Sequence, residues 1–154
     1  METILAWKTK FFSKRYDIYN HTQPAGGLAK TGWSGKVTGE MNGREILFET
    51  KGFFRQETQI MDLQNESVIG NITYNSWRSK AVISYQEKEY NWQFDNFWRT
   101  RWSIRSRNGI LIKYMSKGFK GTINSYTNEE ILILAGFFIR NLIKERSSHA
   151  AATS

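Results

Sequence analysis

The segment that most constrains the fold is residues 131–139, nine consecutive apolar residues (ILILAGFFI) close to the C-terminus. Residues 127–130 (TNEE) have the spacing of a helix capping box, and Lys144 and Arg146 carry the charge that a helix C-terminus favours. We therefore predict a helix over residues 128–146. Its apolar residues fall on every side, and a helix of that kind must be buried all round.

This apolar segment is too short to cross a bilayer, which requires about 20 apolar residues. Arg140 interrupts it, and we expect this arginine to mark the level where the helix leaves its enclosure, with the guanidinium reaching a carbonyl or water. Gly136 costs about 1 kcal/mol inside a helix, which is understandable if a bulky side chain packs against it. Residues 1–10 contain no apolar run of signal-peptide length. We therefore expect a cytoplasmic protein without a transmembrane segment.

The chain before residue 127 has the pattern of many short strands. Tyr90, Trp92 and Phe94 alternate with polar residues, the period of two that is typical of a half-buried strand. Asn-Gly pairs at 42–43 and 108–109 suit type I′ hairpin turns. We predict a mainly β fold of about ten to twelve strands, a sandwich or a barrel, whose strands enclose the C-terminal helix. Residues 1–146 would form one domain, with a disordered tail at 147–154.

This order of elements resembles the tubby C-terminal-like superfamily, which includes tubby proteins, phospholipid scramblases and plant LURP-one-related proteins. The resemblance covers about residues 5–144. It rests on the apolar helix (ILILAGFFIRNLI) and on strand–turn–strand units such as residues 59–62 followed by 68–70. It implies a closed barrel of about twelve strands that encloses a hydrophobic helix, and this is the fold that we predict. It also makes phosphoinositide headgroups an expected class of partner. No Asp-rich loop resembles the calcium site of scramblases.

Basic residues are concentrated in one part of the chain. The 22 basic and 14 acidic residues give a net charge of +8, and residues 96–128 contain seven of the basic residues and no acidic one. In a strand over residues 98–107, Trp98 and Trp102 would share the core face, since side chains alternate. The opposite face would carry arginines. Together with a nearby lysine they are the candidate anion-binding residues: Arg99, Arg101, Arg105, Arg107 and Lys113.

Arginine is a planar donor suited to phosphate and carboxylate, so we expect an anionic membrane surface or an acidic protein as partner. The alternative is a solvated strand face whose arginines pair with Glu89 and Asp95. Pairs such as Trp77-Arg78 are also found in base-stacking surfaces. However, alternation separates Trp98 and Trp102 from the arginines, and no nucleic-acid-binding motif is present. Nucleic acid is therefore the less favoured partner.

The sequence offers little for catalysis. It contains no cysteine and two histidines, His21 and His149, too few for an ordinary zinc site. It has no nucleophile elbow and no phosphate-binding Gly-Lys-Ser/Thr segment. We therefore expect no catalytic site, no metal and no cofactor.

The predicted function is a non-enzymatic binding module, peripheral to a membrane, that engages anionic headgroups or an acidic partner through the basic strand face. A lipid-like small-molecule binding barrel is an alternative, and it requires an internal cavity of roughly 300–1,000 Å³. A structural or protein-interaction domain with no ligand is the other. The sequence leaves the oligomeric state open.

Overall fold

A computed structural model describes residues 2–10, 15–30, 36–52, 56–76 and 79–153. The described elements are β1 (Thr3–Thr9), β2 (Arg15–Asn20), β3 (Gln23–Lys30), β4 (Lys36–Met41), β5 (Arg44–Lys51), β6 (Glu57–Asp62), β7 (Ser67–Ser76), β8 (Lys80–Tyr85), β9 (Lys88–Phe94), β10 (Arg101–Ser106), β11 (Gly109–Lys117), β12 (Lys120–Ser125) and α1 (Glu130–Thr153). Each strand pairs antiparallel with its neighbours in sequence, and β12 pairs with β1 to close the barrel. The predicted closed barrel of about twelve strands is confirmed.

The two Asn-Gly pairs behave differently. Asn42 and Gly43 form the two-residue turn between β4 and β5 with φ of 52° and 85°, as a type I′ turn requires. In the second hairpin Ser106 pairs with Gly109, so the turn residues are 107 and 108 and the prediction of an Asn-Gly turn is wrong. A register irregularity after Ile104 shifts this hairpin by one residue.

Helix α1 lies inside the barrel, as predicted. All residues from 131 to 140 are buried. Phe138 stacks on Phe48 with ring centres 4.4 Å apart, and Trp92 donates its indole N–H to the Gly136 carbonyl oxygen at 2.9 Å. Strands around the barrel supply the residues that lie against the helix: Trp7 of β1, Tyr16 of β2, Gly39 of β4, Phe48 of β5, Trp92 of β9, Ile104 of β10 and Tyr114 of β11.

Gly136 is the point of closest approach between helix and wall. The Tyr114 hydroxyl donates to the helix carbonyls, at 2.8 Å from the Ile133 oxygen and 3.2 Å from the Leu132 oxygen. A β-carbon on residue 136 would lie 2.7 Å from Tyr114 Cζ and 2.8 Å from Ile104 Cδ1. The predicted bulky partner of Gly136 is therefore Tyr114, and no larger residue fits without displacing it.

The helix begins later than predicted, at Glu130 rather than residue 128. The Thr127 hydroxyl accepts a hydrogen bond from the Glu129 amide at 3.2 Å, two residues on, rather than from the third residue as a capping box requires. The amides of Leu132 and Ile133 donate to the Glu129 carbonyl. The predicted capping box is therefore not formed, and Glu129 supplies the first helical acceptor.

The helix also ends later than predicted. It continues to Thr153, past the predicted end at Arg146, while the disordered tail expected at residues 147–154 stays a prediction. Residues 150–152 are three alanines, the residue with the highest helix propensity, and no glycine or proline follows Gly136 to end the helix.

Candidate anion-binding surface

Four neighbouring strands of the barrel carry no acidic residue. These are β10, β11, β12 and β1, and their outward face is termed the acid-free wall. The wall forms because barrel closure places β1, from the start of the chain, beside β12. Its basic residues are Lys8, Arg101, Arg105, Lys113, Lys117 and Lys120. Four of the twelve barrel strands therefore contain basic residues and no acidic residue.

The predicted row of four arginines on one strand face is wrong. Strand β10 begins only at Arg101, and Arg99 lies in the connection before it with a positive φ of 58°. Arg107 lies in the turn at the other end of β10. Only Arg101 and Arg105 therefore share the outward face of this strand, about 13 Å apart at the usual rise per residue.

The same break in alternation changes the prediction for the tryptophans. Trp98 lies in the connection between β9 and β10 and is 79% exposed, so its assignment to the core is wrong. Trp102 is fully buried as predicted, and its ring stacks on Tyr114 at 5.3 Å. The left-handed backbone at Arg99 interrupts the alternation between Trp98 and Trp102. No pattern in the sequence indicates this backbone conformation.

Arg105 is partly neutralised within the barrel. Its Nη2 lies 3.4 Å from Asp95 Oδ1, which also accepts a hydrogen bond from the Ser103 hydroxyl at 3.1 Å. The interpretation of a paired strand face is therefore correct for Arg105 and Asp95. The Arg99 guanidinium lies 5.3 Å from the ring centre of Phe94. Arg105 therefore contributes less to the outward field than the sequence suggested, while Arg99 is exposed and keeps its charge.

A row of three lysines replaces the predicted row of arginines. Lys120 lies directly opposite Lys117 on β11 and directly opposite Lys8 on β1. Their β-carbons are about 5 Å apart from strand to strand, where like charges repel. Asp17, opposite Lys8 on β2, is paired with Arg15 at 2.8 Å. Within the described part of the chain, none of these lysines forms an ion pair.

Two of the predicted residues extend this row. Lys113 is exposed on β11, opposite Ser103 on one side and Asn124 on the other. Arg101 is exposed opposite Met115, near the end of the wall where the lysines lie. We call the five residues the basic cluster: Lys8, Arg101, Lys113, Lys117 and Lys120.

Sequence reasoning placed only two members of the basic cluster among the candidates. The spacing of Lys117 and Lys120 could have indicated their pairing in the sequence, because residues that flank a two-residue turn lie opposite each other in a hairpin. Lys8 could be found only from the closure of β12 onto β1.

Exposed aromatic side chains lie at the same end of the wall. Phe97 and Trp98 are 88% and 79% exposed in the β9–β10 connection, and Phe119 is 53% exposed in the β11–β12 turn. We call these three residues the aromatic rim. The Thr100 carbonyl accepts from the Ser116 amide at 2.8 Å, and the Phe119 carbonyl accepts from the Thr9 amide at 2.8 Å. These bonds hold the connections side by side.

The charged residues at the opposite end of the barrel are mostly acidic. Its connections lie near the N-terminus of α1, where Asn42 Nδ2 donates to Glu130 Oε1 at 3.1 Å. Acidic residues in the connections or near the element ends there are Glu2, Glu45, Asp62, Glu66, Glu87, Glu89, Glu129 and Glu130, and they outnumber the basic residues Arg44, Lys88 and Arg107. Charge therefore changes along the barrel axis, from acidic at this end to basic at the end that carries the aromatic rim.

A buried cation lies behind the basic cluster. The Arg140 guanidinium carbon is 5.6 Å from the Trp7 ring centre and 5.0 Å from that of Trp102. Its Nη2 donates to the Ser116 hydroxyl and its Nη1 to the Asn141 side chain, both at 3.1 Å. Burial lowers the pKa of Arg140. The helix becomes partly exposed beyond this residue, so the predicted exit level is confirmed, although the partners are side chains.

The described residues contain no group of three or more His, Asp or Glu side chains placed to hold a metal ion. Over the same residues, no helix combines the length and the apolarity needed to cross a membrane. The predicted Trp77-Arg78 pair lies outside the described residues.

Comparisons with protein-family models, curated proteins and solved structures gave no match. The resemblance to the tubby C-terminal-like superfamily therefore stays a prediction.

Proposed function

We propose that this protein is a non-enzymatic module that binds anionic, phosphate-bearing lipid surfaces through the basic cluster. The observation that carries the proposal is the row Lys117–Lys120–Lys8 on a wall without acidic residues. The three lysines occupy paired positions on adjacent strands, with the Lys8 ammonium 5.8 Å from the ring centre of Tyr19, and an anion from outside the protein offsets their like charge. The predicted partner class is kept, while the predicted arginine row is replaced by the lysines, Arg101 and Lys113.

The shape of the wall favours a surface over a small enclosed ligand. The basic cluster is spread over four neighbouring strands, so its charges face outward together. Each Lys or Arg near an anionic membrane contributes about 1 kcal/mol of binding free energy. Five such residues therefore supply enough attraction for reversible attachment, and this attraction weakens as salt is added.

Helix α1 argues against the competing proposal of a small-molecule binding barrel. A ligand of that class would occupy the barrel interior, where Phe137 contacts Trp7 and Phe138 stacks on Phe48. Two described surface depressions, of about 330 and 210 Å³, lie among β6, β7 and β8 and around β3 and β4. Neither includes a residue of the basic cluster.

Sedimentation with vesicles tests the proposal. Lys117→Gln with Lys120→Gln removes two charges and should lower partitioning into phosphatidylserine-containing vesicles about 30-fold, from about 2 kcal/mol. The control is Lys88→Gln with Arg107→Gln, which removes the same charge from the acidic end and should bind nearly as the wild type does. Equal losses in both variants would show that net charge alone matters, and absence of wild-type binding would refute the proposal.

Two further arms separate the sources of phosphate. Soluble glycerophosphoserine should not displace the protein from vesicles, because a single headgroup meets only part of the cluster. Duplex DNA should bind more weakly than vesicles of matched phosphate concentration, since its bases are stacked inside the duplex and it has no apolar layer that could receive the exposed rings of Phe97 and Trp98. Equal binding to DNA would instead indicate a general polyanion binder.

A further inference from the structure

We propose that the aromatic rim inserts into the interfacial layer of the bilayer, so that the barrel docks by this end. The inference rests on the proposed function, because the basic cluster supplies the first attraction. It adds a second contact of different chemistry, an orientation of the barrel axis and a named set of inserted residues.

The exposure of the rim is the first observation. Phe97 and Trp98 are adjacent, 88% and 79% exposed, and contact each other edge to face with ring centres 5.4 Å apart. Phe119, 53% exposed, lies at the tip of the neighbouring hairpin. Large apolar side chains grouped in this way mark an interaction surface. Tryptophan in particular is enriched at the level of lipid headgroups.

The rim is held in place by its backbone and by one side chain. Asn96 Oδ1 accepts hydrogen bonds from the amides of Thr100 and Arg101, each at 3.0 Å. Asn96 Nδ2 donates to the Thr100 hydroxyl at 2.6 Å. These bonds close the connection that carries Phe97 and Trp98, so the two rings are presented outward before binding.

Charge complementarity selects a lipid surface as the occupant. Lys117 and Lys120 flank the turn that carries Phe119, and Lys8 follows on the next strand. Lysine side chains extend along apolar surface while keeping the ammonium group among headgroups. Basic residues around inserted aromatic rings match a layer of anionic headgroups above an apolar layer. The acidic residues at the other end of the barrel disfavour the reverse orientation.

The absence of cysteine allows a site-specific test in the full chain. Trp98→Cys and Phe119→Cys are each labelled with an environment-sensitive fluorophore, with Glu87→Cys at the opposite end as the matched control. On phosphatidylserine-containing vesicles, the labels at 98 and 119 should shift to the blue and be quenched by spin-labelled lipids. The label at 87 should remain as in water.

The outcomes separate the two proposals. If the labelled proteins sediment with vesicles and neither rim label responds, the insertion is refuted while charge-driven binding stands. A response at 87 in place of 98 and 119 refutes the orientation. If wild-type protein does not sediment with these vesicles, the proposed function fails and the inference fails with it.

A second variant measures the contribution of the rim without a label. Phe97→Ser with Trp98→Ser should lower vesicle partitioning about 100-fold, since each of the two buried aromatic rings contributes about tenfold or more. The loss should persist at high salt. The control is Leu63→Ser with Val68→Ser, two residues that are 37% and 55% exposed away from the rim, and it should bind as the wild type does. Equal losses in both variants would overturn the inference.

Discussion

Replacement of Gly136 by alanine tests the enclosure of the helix with a single methyl group. On a solvent-exposed helix this change stabilises the folded state by about 1 kcal/mol, because alanine has the higher helix propensity. Inside the barrel the new β-carbon would lie 2.7 Å from Tyr114 Cζ and 2.8 Å from Ile104 Cδ1. Both distances are below the normal contact distance, so the wall or the helix must move.

The magnitude follows from what must be displaced. Overpacking of a core by one methyl group costs about 1–3 kcal/mol. Displacement of the Tyr114 hydroxyl from the Leu132 and Ile133 carbonyls costs about 1–3 kcal/mol more, since the hydroxyl is fully buried. After the propensity gain we expect Gly136→Ala to destabilise the protein by about 1–5 kcal/mol.

Guanidinium unfolding followed by far-ultraviolet circular dichroism measures this change. The double variant Gly136→Ala with Tyr114→Phe is the control, because removal of the hydroxyl relieves part of the contact. The alanine should therefore cost less in the Tyr114→Phe background than in the wild type. A gain of about 1 kcal/mol from Gly136→Ala alone would show that residue 136 is not enclosed, and the fold description would be wrong.

Three other outcomes are expected. Trp102→Ala should lower the free energy of unfolding by about 3–5 kcal/mol and Trp98→Ala by less than about 0.5 kcal/mol, measured by chemical denaturation; equal losses would restore Trp98 to the core. Burial raises the pKa of Tyr114 far above its usual range. The stability that the neutral Tyr114 side chain gives the folded protein should therefore be complete below pH about 10 and decline at higher pH. Urea unfolding across this pH range should show that the free energy of unfolding declines less steeply for Tyr114→Phe than for the wild type. An equal decline in the two proteins would contradict the reasoning. Asp95→Asn should strengthen vesicle binding by releasing Arg105, while the stability of the barrel changes by about 1 kcal/mol or less; weaker binding in sedimentation would contradict this role.

The fold could be predicted because its strongest signals are local and mutually consistent. A helix with apolar residues on every side requires an enclosure, and many short alternating strands supply one. Gly136 further indicated a large neighbour, which is Tyr114. The helix ends were less predictable, because Thr127 accepts from the Glu129 amide rather than from that of the third residue, and the helix continues past Arg146 with no glycine or proline to end it.

The candidate site was only partly predictable, for two physical reasons. Alternation fails wherever the backbone leaves the extended region, and the positive φ of Arg99 placed Trp98 outside the core. Long-range pairing was the second obstacle, since Lys8 joins Lys120 only when the first and last strands meet. The concentration of charge at residues 96–128 located three of the four strands of the acid-free wall, whereas the strand register could not be predicted from the sequence.

Hydrogen exchange of the native, unlabelled protein tests the central claim most directly. Amide exchange is compared with and without phosphatidylserine-containing vesicles. Binding should protect residues 96–101 and 116–121, the connections beside the basic cluster, and leave the connections at 62–67 and 86–88 unchanged. Protection confined to the acidic end, or spread evenly over the barrel, would contradict attachment through the basic cluster and the aromatic rim.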